Sequence, residues 1–224
     1  MGSVKIVLLF TLIMLSGCDK YDKKHKVILE KGVVAWNQWR SDNPGIKPNL
    51  VGVKYYKADF KGFDFSNTDF SFSELPFADF TGSDLQNTNF TKSYLQVANF
   101  KNCMLTGSNF YRAMMYGANL NGVTGKNISF SRAYLDSSDL VNLNVENSFF
   151  TNTFLADSNL SGSTFRGSFF YDTNMKRTFI VKAHFIDVDF KDADLSGSFI
   201  KQSEFTNTNL QAARSGTNFI NIDK

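Results

Sequence analysis

The most constraining feature of this sequence is a period of five residues. Every fifth residue from Leu50 to Leu210 has a large apolar or aromatic side chain, and only Gly125 departs from this rule. An α-helix repeats every 3.6 residues and an ordinary strand every two, so neither element explains the period. A short unit of this kind cannot bury its apolar side chain alone, whereas stacked copies enclose a continuous core. The period therefore predicts a solenoid.

Each unit has a recognisable composition around its apolar residue, which we call the centre. A small residue recurs two positions before the centre, for example Ala78 and Ala193. The position directly before the centre is commonly Asp or Asn, for example Asp79 and Asp194. Asp and Asn favour turns because their side chains bond the nearby backbone. Each unit thus carries an inward apolar residue and a turn-forming polar one.

A second period of 20 residues lies within the first. Centres 20 residues apart resemble one another, so stacked coils of four units are indicated. One column is almost entirely phenylalanine: Leu50, Phe70, Phe90, Phe110, Phe130, Phe150, Phe170, Phe190 and Leu210. At about 4.8 Å per coil, about eight coils make a four-sided rod roughly 35 to 40 Å long.

Units such as Ala78-Asp79-Phe80-Thr81-Gly82 and Ala193-Asp194-Leu195-Ser196-Gly197 resemble those of the pentapeptide-repeat family, whose pattern is Ala-(Asp or Asn)-Leu-X-X. The resemblance implies an all-β fold, a right-handed quadrilateral parallel β-helix with one unit per side. We assign residues 46–212 to this β-helix and residues 213–224 to a C-terminal cap or tail. The register slips after Leu210, and the tail either caps the last coil or contributes to a homodimer contact.

Residues 1–17 predict a lipoprotein signal peptide. Lys5 precedes an apolar run from Ile6 to Met14, which is shorter than the roughly 20 residues that a membrane span needs. Leu15-Ser16-Gly17-Cys18 resembles the bacterial lipobox, which implies cleavage before Cys18 and acylation of this residue. Several acyl chains anchor a protein stably. Asp19 resembles the signal that retains lipoproteins in the inner membrane, so we expect the protein on its periplasmic face.

The next residues predict a tether and a cap. Residues 18–26 comprise the lipidated cysteine and a short polar tether. Residues 27–45 predict a capping helix, because apolar residues recur at spacings of three and four before Asn43-Pro44-Gly45 stops the pattern. A β-helix needs such an element, since its first coil otherwise exposes a strand edge and the core. We interpret Trp36 and Trp39 as the residues that cover this core.

The sequence carries no pattern typical of catalysis, of a cofactor or of a metal site. Its two histidines, His25 and His184, are far apart, and it has no phosphate-binding loop or nucleophile motif. Cys103 occupies a small inward position and is interpreted as a buried, inert thiol. Gly125 is interpreted as a bulge or as a void compensated by larger neighbours. We therefore predict a protein that is not an enzyme and has no cofactor.

One outward column is unusually apolar. The position before the centre, usually Asp or Asn, is Tyr94, Met114, Tyr134 and Phe154 on four successive coils, and Tyr116 lies close to them. Exposed apolar stripes mark contact sites, whereas aromatic ladders also stabilise neighbouring strands. Both interpretations remain open. In the first, these five residues contact a protein partner of unknown identity.

Three functions are compatible with these features. The first is a membrane-anchored, non-enzymatic lipoprotein that serves as a protein-binding or scaffold module of the bacterial cell envelope. The second is a mimic of duplex DNA that binds a topoisomerase, as the best-known family members protect gyrase from quinolones. Those rods are strongly acidic, whereas Leu50 to Leu210 contains 14 basic and 16 acidic residues. The third is an envelope protein that binds or cleaves glycans. We expect no nucleic acid partner.

Overall fold

The computed structural model describes residues 20–214. Two helices, α1 (Lys23–Leu29) and α2 (Val33–Asp42), precede a rod of stacked coils. The seven strands that exceed a single bridge are β1 (Thr124–Lys126), β2 (Asn144–Glu146), β3 (Thr164–Arg166), β4 (Phe179–Val181), β5 (His184–Ile186), β6 (Phe199–Lys201) and β7 (Glu204–Thr206). A short 3₁₀-helix, Leu210–Ala212, lies near the C-terminal end of the described residues.

Parallel pairing between residues 20 apart builds the rod. Single bridges such as Asn49 to Asp69 and Tyr94 to Met114 repeat from coil to coil. The longer strands follow the same register: β1, β2, β3, β5 and β7 form one parallel sheet, and β4 pairs with β6. One bridged column passes through eight levels: Asn49, Asp69, Asn89, Asn109, Ser129, Phe149, Phe169 and Asp189. The predicted four-sided parallel β-helix is confirmed.

The core of the rod is filled by the centres. The Phe column stacks face to face, with ring centroids of Phe90 and Phe110 separated by 5.0 Å and those of Phe150 and Phe170 by 4.5 Å. All four rings are fully buried. Burying a side chain of this size contributes about 1.5 to 3 kcal/mol before entropy is counted. The repeated centre therefore supplies most of the apolar burial that holds the coils together.

Two residues shape each corner. The residue before the centre accepts a hydrogen bond from the backbone two residues later, as Asp69 Oδ1 does from the N–H of Ser71 at 2.8 Å. The second residue after the centre commonly has a left-handed backbone, with φ of 59° at Asn67 and 69° at Gly82. Gly and Asn tolerate this region with little strain. This explains why polar turn residues punctuate the repeat.

Gly125 lies in β1 and is compensated by its neighbours. A Cβ atom at this position would lie 2.9 Å from the backbone nitrogen of Thr106 and 3.0 Å from Cδ1 of Ile128. Ile128 and Val123 are fully buried, although smaller residues usually stand at their positions. The Ile128 side chain thus occupies space that a larger residue at 125 would need.

The N-terminal segment differs from the predicted single helix and polar tether. Helix α1 begins at Lys23, within the residues assigned to the tether, and Gly32 (φ 88°) separates it from α2. Asp22 caps α1 by accepting a hydrogen bond from the N–H of Lys24 at 2.7 Å. The tether was predicted because DKYDKKHK is so polar. In the structure, however, the inward side of the segment 21–29 carries Tyr21, His25, Ile28 and Leu29. All four residues contact the remainder of the protein.

The last coil is closed differently from the others. The backbone N–H of Phe190 donates to a side-chain oxygen, Asn209 Oδ1, at 2.8 Å. The corresponding N–H groups of the preceding coils donate to a backbone carbonyl oxygen. Leu195 still donates to the carbonyl of Arg214 at 3.0 Å. The register slip predicted after Leu210 coincides with the 3₁₀-helix. Residues 215–224, and with them most of the predicted tail, lie outside the described residues.

Candidate interaction face

One side of the rod carries most of the exposed apolar surface. Its centres are those of the column from Tyr55 to Leu195, and we call this side, with its two corners, the apolar face. Among residues 50–214, eleven large apolar side chains are exposed, and seven of them belong to this face: Tyr56, Phe72, Phe77, Tyr94, Val97, Tyr116 and Phe154. Because the other four are divided among the remaining sides, the concentration here is not a general property of the repeat.

The predicted stripe lies along the middle of the apolar face. Tyr94, Met114, Tyr134 and Phe154 bridge one another on successive coils. The rings of Tyr134 and Phe154 are parallel within 3° at 4.9 Å, and Tyr116 contacts Tyr134 at 5.6 Å. Tyr94, Tyr116 and Phe154 are exposed, whereas Met114 and Tyr134 are half-buried. The structure therefore brings all five predicted residues together.

A column of basic residues borders the stripe, and the sequence interpretation did not include it. Lys92, Arg112 and Arg132 occupy the corner position on three successive coils, and all three are exposed. Within residues 20–214 none of them forms an ion pair; Arg112 lies over the ring of Tyr111, 5.4 Å from its centroid, and Arg132 donates a long 3.5 Å hydrogen bond to the Tyr111 hydroxyl. The spacing of 20 residues was a sufficient signal to find this column.

The stripe and the basic column together line a groove. Its volume is about 520 Å³, and its walls are formed by Lys92, Tyr94, Arg112, Met114, Arg132, Tyr134, Asn152, Thr153, Phe154, Asp172 and Asn174. Basic residues flank its first three coils, and Asp172 stands at the far end. Arg214 lies 3.9 Å from Asp172 and neutralises part of that charge. The groove is thus apolar along its floor and basic along most of one wall.

A carboxylate lies beside the stripe in an environment that disfavours its charge. Burial raises the pKa of Asp136 above its ordinary value, although a hydrogen bond from the backbone N–H of Ala156 at 3.2 Å opposes this effect. Burial also raises the pKa of the Tyr116 hydroxyl, with a smaller contribution from the nearby Asp136 charge. The environment of this part of the face therefore favours uncharged groups.

The predicted cap residues lie over the first coils. Trp36 is fully buried, its ring is 5.4 Å from that of Phe65, and its Nε1 donates to the carbonyl oxygen of Asp64. Trp39 is half-buried and lies between Trp36, at 5.2 Å, and His25, at 5.0 Å. The two tryptophans thus pack against each other, and Trp36 also packs on the first coils.

The remaining chemically reactive groups have structural partners. Cys103 is buried, and its thiol donates to the carbonyl oxygen of Phe80 at 2.9 Å; burial raises the pKa of this thiol to about 12. His25 Nδ1 accepts the N–H of Asn49, and His184 Nδ1 contacts Glu204 at 3.0 Å. In residues 20–214 no group of three or more His, Cys, Asp or Glu side chains has the arrangement of a metal site.

The predicted membrane anchor falls at the N-terminal end of the chain. The predicted lipidation site Cys18 and the following Asp19 lie outside the described residues. Over residues 20–214, neither helix has the length and apolar character that crossing a bilayer requires.

Comparisons with known proteins identify the repeat. The family model for pentapeptide repeats matches in eight copies, over residues 49–87, 83–122, 138–177 and 183–214. These segments span more than half of the chain. Among curated proteins, no sequence matches.

Several solved structures resemble the rod. QnrB1, a plasmid-mediated fluoroquinolone resistance protein, is 18% identical over 73% of this chain and 80% of its own, with a TM-score of 0.46. A pentapeptide repeat protein of the Arabidopsis thaliana thylakoid lumen is 32% identical over 47% of this chain and 66% of its own, with a TM-score of 0.36. HetL from Nostoc sp. strain PCC 7120, involved in heterocyst differentiation regulation, is 16% identical over 79% of this chain and 92% of its own, with a TM-score of 0.33.

Proposed function

The chain belongs to the pentapeptide-repeat family, and we propose that it is a membrane-anchored, non-enzymatic bacterial lipoprotein whose β-helix binds a partner protein in the cell envelope. The lipobox before Cys18 supports the anchor. The stripe from Tyr94 to Phe154 and its groove support protein binding, and this groove is the observation that carries the proposal. Contiguous exposed apolar surface of this kind marks interaction sites.

The geometry of the rings favours a protein over a glycan or a nucleic acid. Sugars and bases are commonly bound on the flat face of an aromatic ring. In the stripe, the faces of Tyr134 and Phe154 cover each other, so mainly their edges reach the groove. Ring edges carry partial positive charge and pack against apolar groups or carboxylates. A partner segment with apolar and acidic side chains satisfies both the floor and the basic wall.

The charge of the groove also distinguishes this rod from a mimic of DNA. A mimic must present carboxylates where the duplex has phosphates. Here Lys92, Arg112 and Arg132 occupy the same corner on consecutive coils, and like charges held near one another repel. An acidic partner would neutralise this repulsion. We therefore assign the basic column to partner binding as well.

Crosslinking from intact membranes tests the groove. The test protein carries Tyr94→Asn, Tyr134→Asn and Phe154→Asn, since Asn is the residue that other units place before the centre. A matched control carries Phe179→Asn and Phe199→Asn, which remove exposed rings from another side. We expect the partner crosslinked to the natural protein, identified by mass spectrometry, to disappear from the test variant and to remain with the control. Equal recovery with both folded variants would show that the groove does not bind it.

Metabolic labelling with radioactive palmitate tests the anchor separately. We expect label in the natural protein and none in Cys18→Ala, because the thiol and the new N-terminus at Cys18 are the predicted acceptors. Unchanged labelling of Cys18→Ala would reject lipidation at this residue, whatever the outcome of the crosslinking.

A further inference from the structure

Three corner residues near the start of the apolar face are unusual. Phe72, Phe77 and Val97 have left-handed backbones, with φ of 58°, 61° and 56°. Among residues 20–214, they are the only large apolar residues with a left-handed backbone. The other residues with this conformation are mostly Gly, Asn, Asp and basic residues. All three are also exposed. A bulky residue in this conformation is strained, so these positions combine backbone strain with unfavourable solvent contact.

These residues form a patch with lysines over the rings. Tyr56 and Phe77 contact each other with ring centroids 5.4 Å apart, and the Lys57 ammonium lies over both. Two further lysines lie over Phe72, Lys20 at 5.5 Å and Lys92 at 5.3 Å. We call the seven residues the corner patch: Lys20, Tyr56, Lys57, Phe72, Phe77, Lys92 and Val97. It lies at the N-terminal end of the apolar face, and only Lys92 also lines the groove.

The corner patch is close to the predicted lipid anchor. Lys20, which lies over Phe72, follows Cys18 by two residues. Two residues of extended chain span at most about 7 Å. Lys20 is also held to the first coil, because its carbonyl oxygen accepts a hydrogen bond from Asn49 Nδ2 at 3.1 Å. An acylated Cys18 would therefore hold the corner patch at the bilayer surface.

We propose that the corner patch docks the rod onto an anionic phospholipid surface, with its rings at the level of the headgroups and its lysines on lipid phosphates. This inference rests on the proposed lipid anchor. Aromatic side chains concentrate at membrane interfaces, and lysines extend their ammonium groups to the polar layer. Lysines near an anionic leaflet add electrostatic attraction. Glu74, a carboxylate on this part of the face, is already paired with Lys54 at 2.6 Å.

Docking at the corner patch determines how the rod is presented. The groove lies on the same face but further from the anchor, along coils that carry Met114, Tyr134 and Phe154. Beyond it, Asp157, Asp172 and Asp194 are paired with Arg177, Arg214 and Lys176, respectively. An anionic surface therefore attracts the first part of the face, which carries Lys20, Lys57 and Lys92, more strongly than the last part, whose charges are paired. The rod is therefore inclined to the bilayer, with the groove facing the space between rod and membrane.

Site-directed spin labelling in proteoliposomes tests the docking. The full-length, processed protein is reconstituted in phosphatidylethanolamine with phosphatidylglycerol, and a nitroxide is attached at Phe77→Cys or, as a control, at Phe179→Cys. Cys103 is buried and acylated Cys18 has no free thiol, so the labelling is specific. We expect the ratio of collisions with oxygen to collisions with a water-soluble nickel complex to be several-fold higher at 77 than at 179. Equal ratios would overturn the proposal.

Two further measurements separate the alternatives. Replacing Lys20, Lys57 and Lys92 by Gln should lower the collision ratio at 77 in these vesicles. Exchanging phosphatidylglycerol for phosphatidylcholine should lower it as well. An unchanged ratio in either case would contradict docking onto an anionic surface. The probe at 77 would indicate a protein partner, and overturn the proposal, if it is shielded from both reagents in native membranes but exposed in vesicles that contain no other protein. Mass spectrometry of the N-terminal peptide of each sample reports acylation, so failure of the anchor is distinguished from failure of the corner patch.

Discussion

Trp36 Nε1 lies 2.6 Å from the backbone carbonyl oxygen of Asp64, which joins helix α2 to a coil 28 residues later. The same ring packs on Phe65 at 5.4 Å, and the neighbouring Arg40 donates to the carbonyl oxygens of Ile46 and Ser66. A buried carbonyl without a partner costs free energy. This side of α2 therefore covers the open end of the core and at the same time satisfies backbone groups of the first coils.

Replacing Trp36 should separate these two contributions. We expect Trp36→Phe to lower the free energy of unfolding by about 1 to 3 kcal/mol, because the carbonyl of Asp64 loses its donor. Trp36→Ala should cost about 3 to 5 kcal/mol, because it also leaves a cavity. Chemical denaturation followed by circular dichroism measures both values. Val34→Ala, on the exposed side of α2, is the control and should change little. Equal stability of Trp36→Phe and the natural protein would show that the hydrogen bond is unimportant.

Gly125 should not tolerate a side chain. Its Cβ would lie about 3 Å from the backbone of Leu105 and Thr106 and from Cδ1 of Ile128, and overpacking of this kind costs about 1 to 3 kcal/mol. We expect Gly125→Ala to lower the melting temperature. Adding Ile128→Val should recover part of the loss, because it removes one of the three close atoms. A stabilising Gly125→Ala would indicate an empty space at this position, which contradicts the compensation described above.

Cys103 should be unreactive in the folded protein. Burial raises its pKa to about 12, so almost no thiolate is present at neutral pH. We expect no reaction with a thiol reagent at pH 8 in buffer and one equivalent after denaturation, when Cys18 is acylated. Rapid modification of the native protein would mean that the coil around Phe80 opens locally. Cys103→Ala should lose only the hydrogen bond to Phe80 and remain folded.

Asp136 should destabilise the folded protein at neutral pH. Its pKa is raised in the folded state, mainly by burial, so the folded protein binds the proton more tightly than the unfolded chain does. Stability from this group is therefore highest at low pH and falls as the pH rises from the unfolded pKa, near 3.8, through the raised folded value. We expect Asp136→Asn to raise the melting temperature at pH 7 and to have no effect near pH 3.

Asp157 is the control for Asp136, because the pKa of its carboxyl is shifted in the opposite direction. Bonding to Arg177 lowers the pKa of Asp157, so Asp157→Asn should have its destabilising effect at pH 7 and lose it as the pH falls through the lowered value. If Asp136→Asn destabilises the protein at pH 7, then the charged form of Asp136 is favoured in the fold. Melting curves of both variants at several pH values distinguish these outcomes.

Several parts of the candidate site were predictable to different degrees. The stripe from Tyr94 to Phe154 followed from the spacing of 20 residues, because pairing in register places such residues side by side. The basic column obeys the same spacing but was missed, since Lys and Arg at corners are individually ordinary. The strain at Phe72 and Phe77 could not be predicted without the backbone, because a left-handed φ is a property of the turn. The position of Lys20 against Phe72 depends on contacts between distant segments.

By itself, the sequence determined the rod. A centre at every fifth residue can be buried only if each unit forms one side, and similar centres 20 apart can pack only if four sides complete a coil. The tertiary structure decided what covers and flanks this rod. Lys23 to Leu29 forms a helix although its composition is polar, because Tyr21, His25 and Leu29 find partners on the first coils and on α2. Gly125 is tolerated because Ile128 from the following unit fills its space. The sequence left this compensation as one of two interpretations, and the close packing around Gly125 decides for it. The contacts of the N-terminal helices join segments that are distant in sequence and follow no repeat, so only the folded chain reveals them.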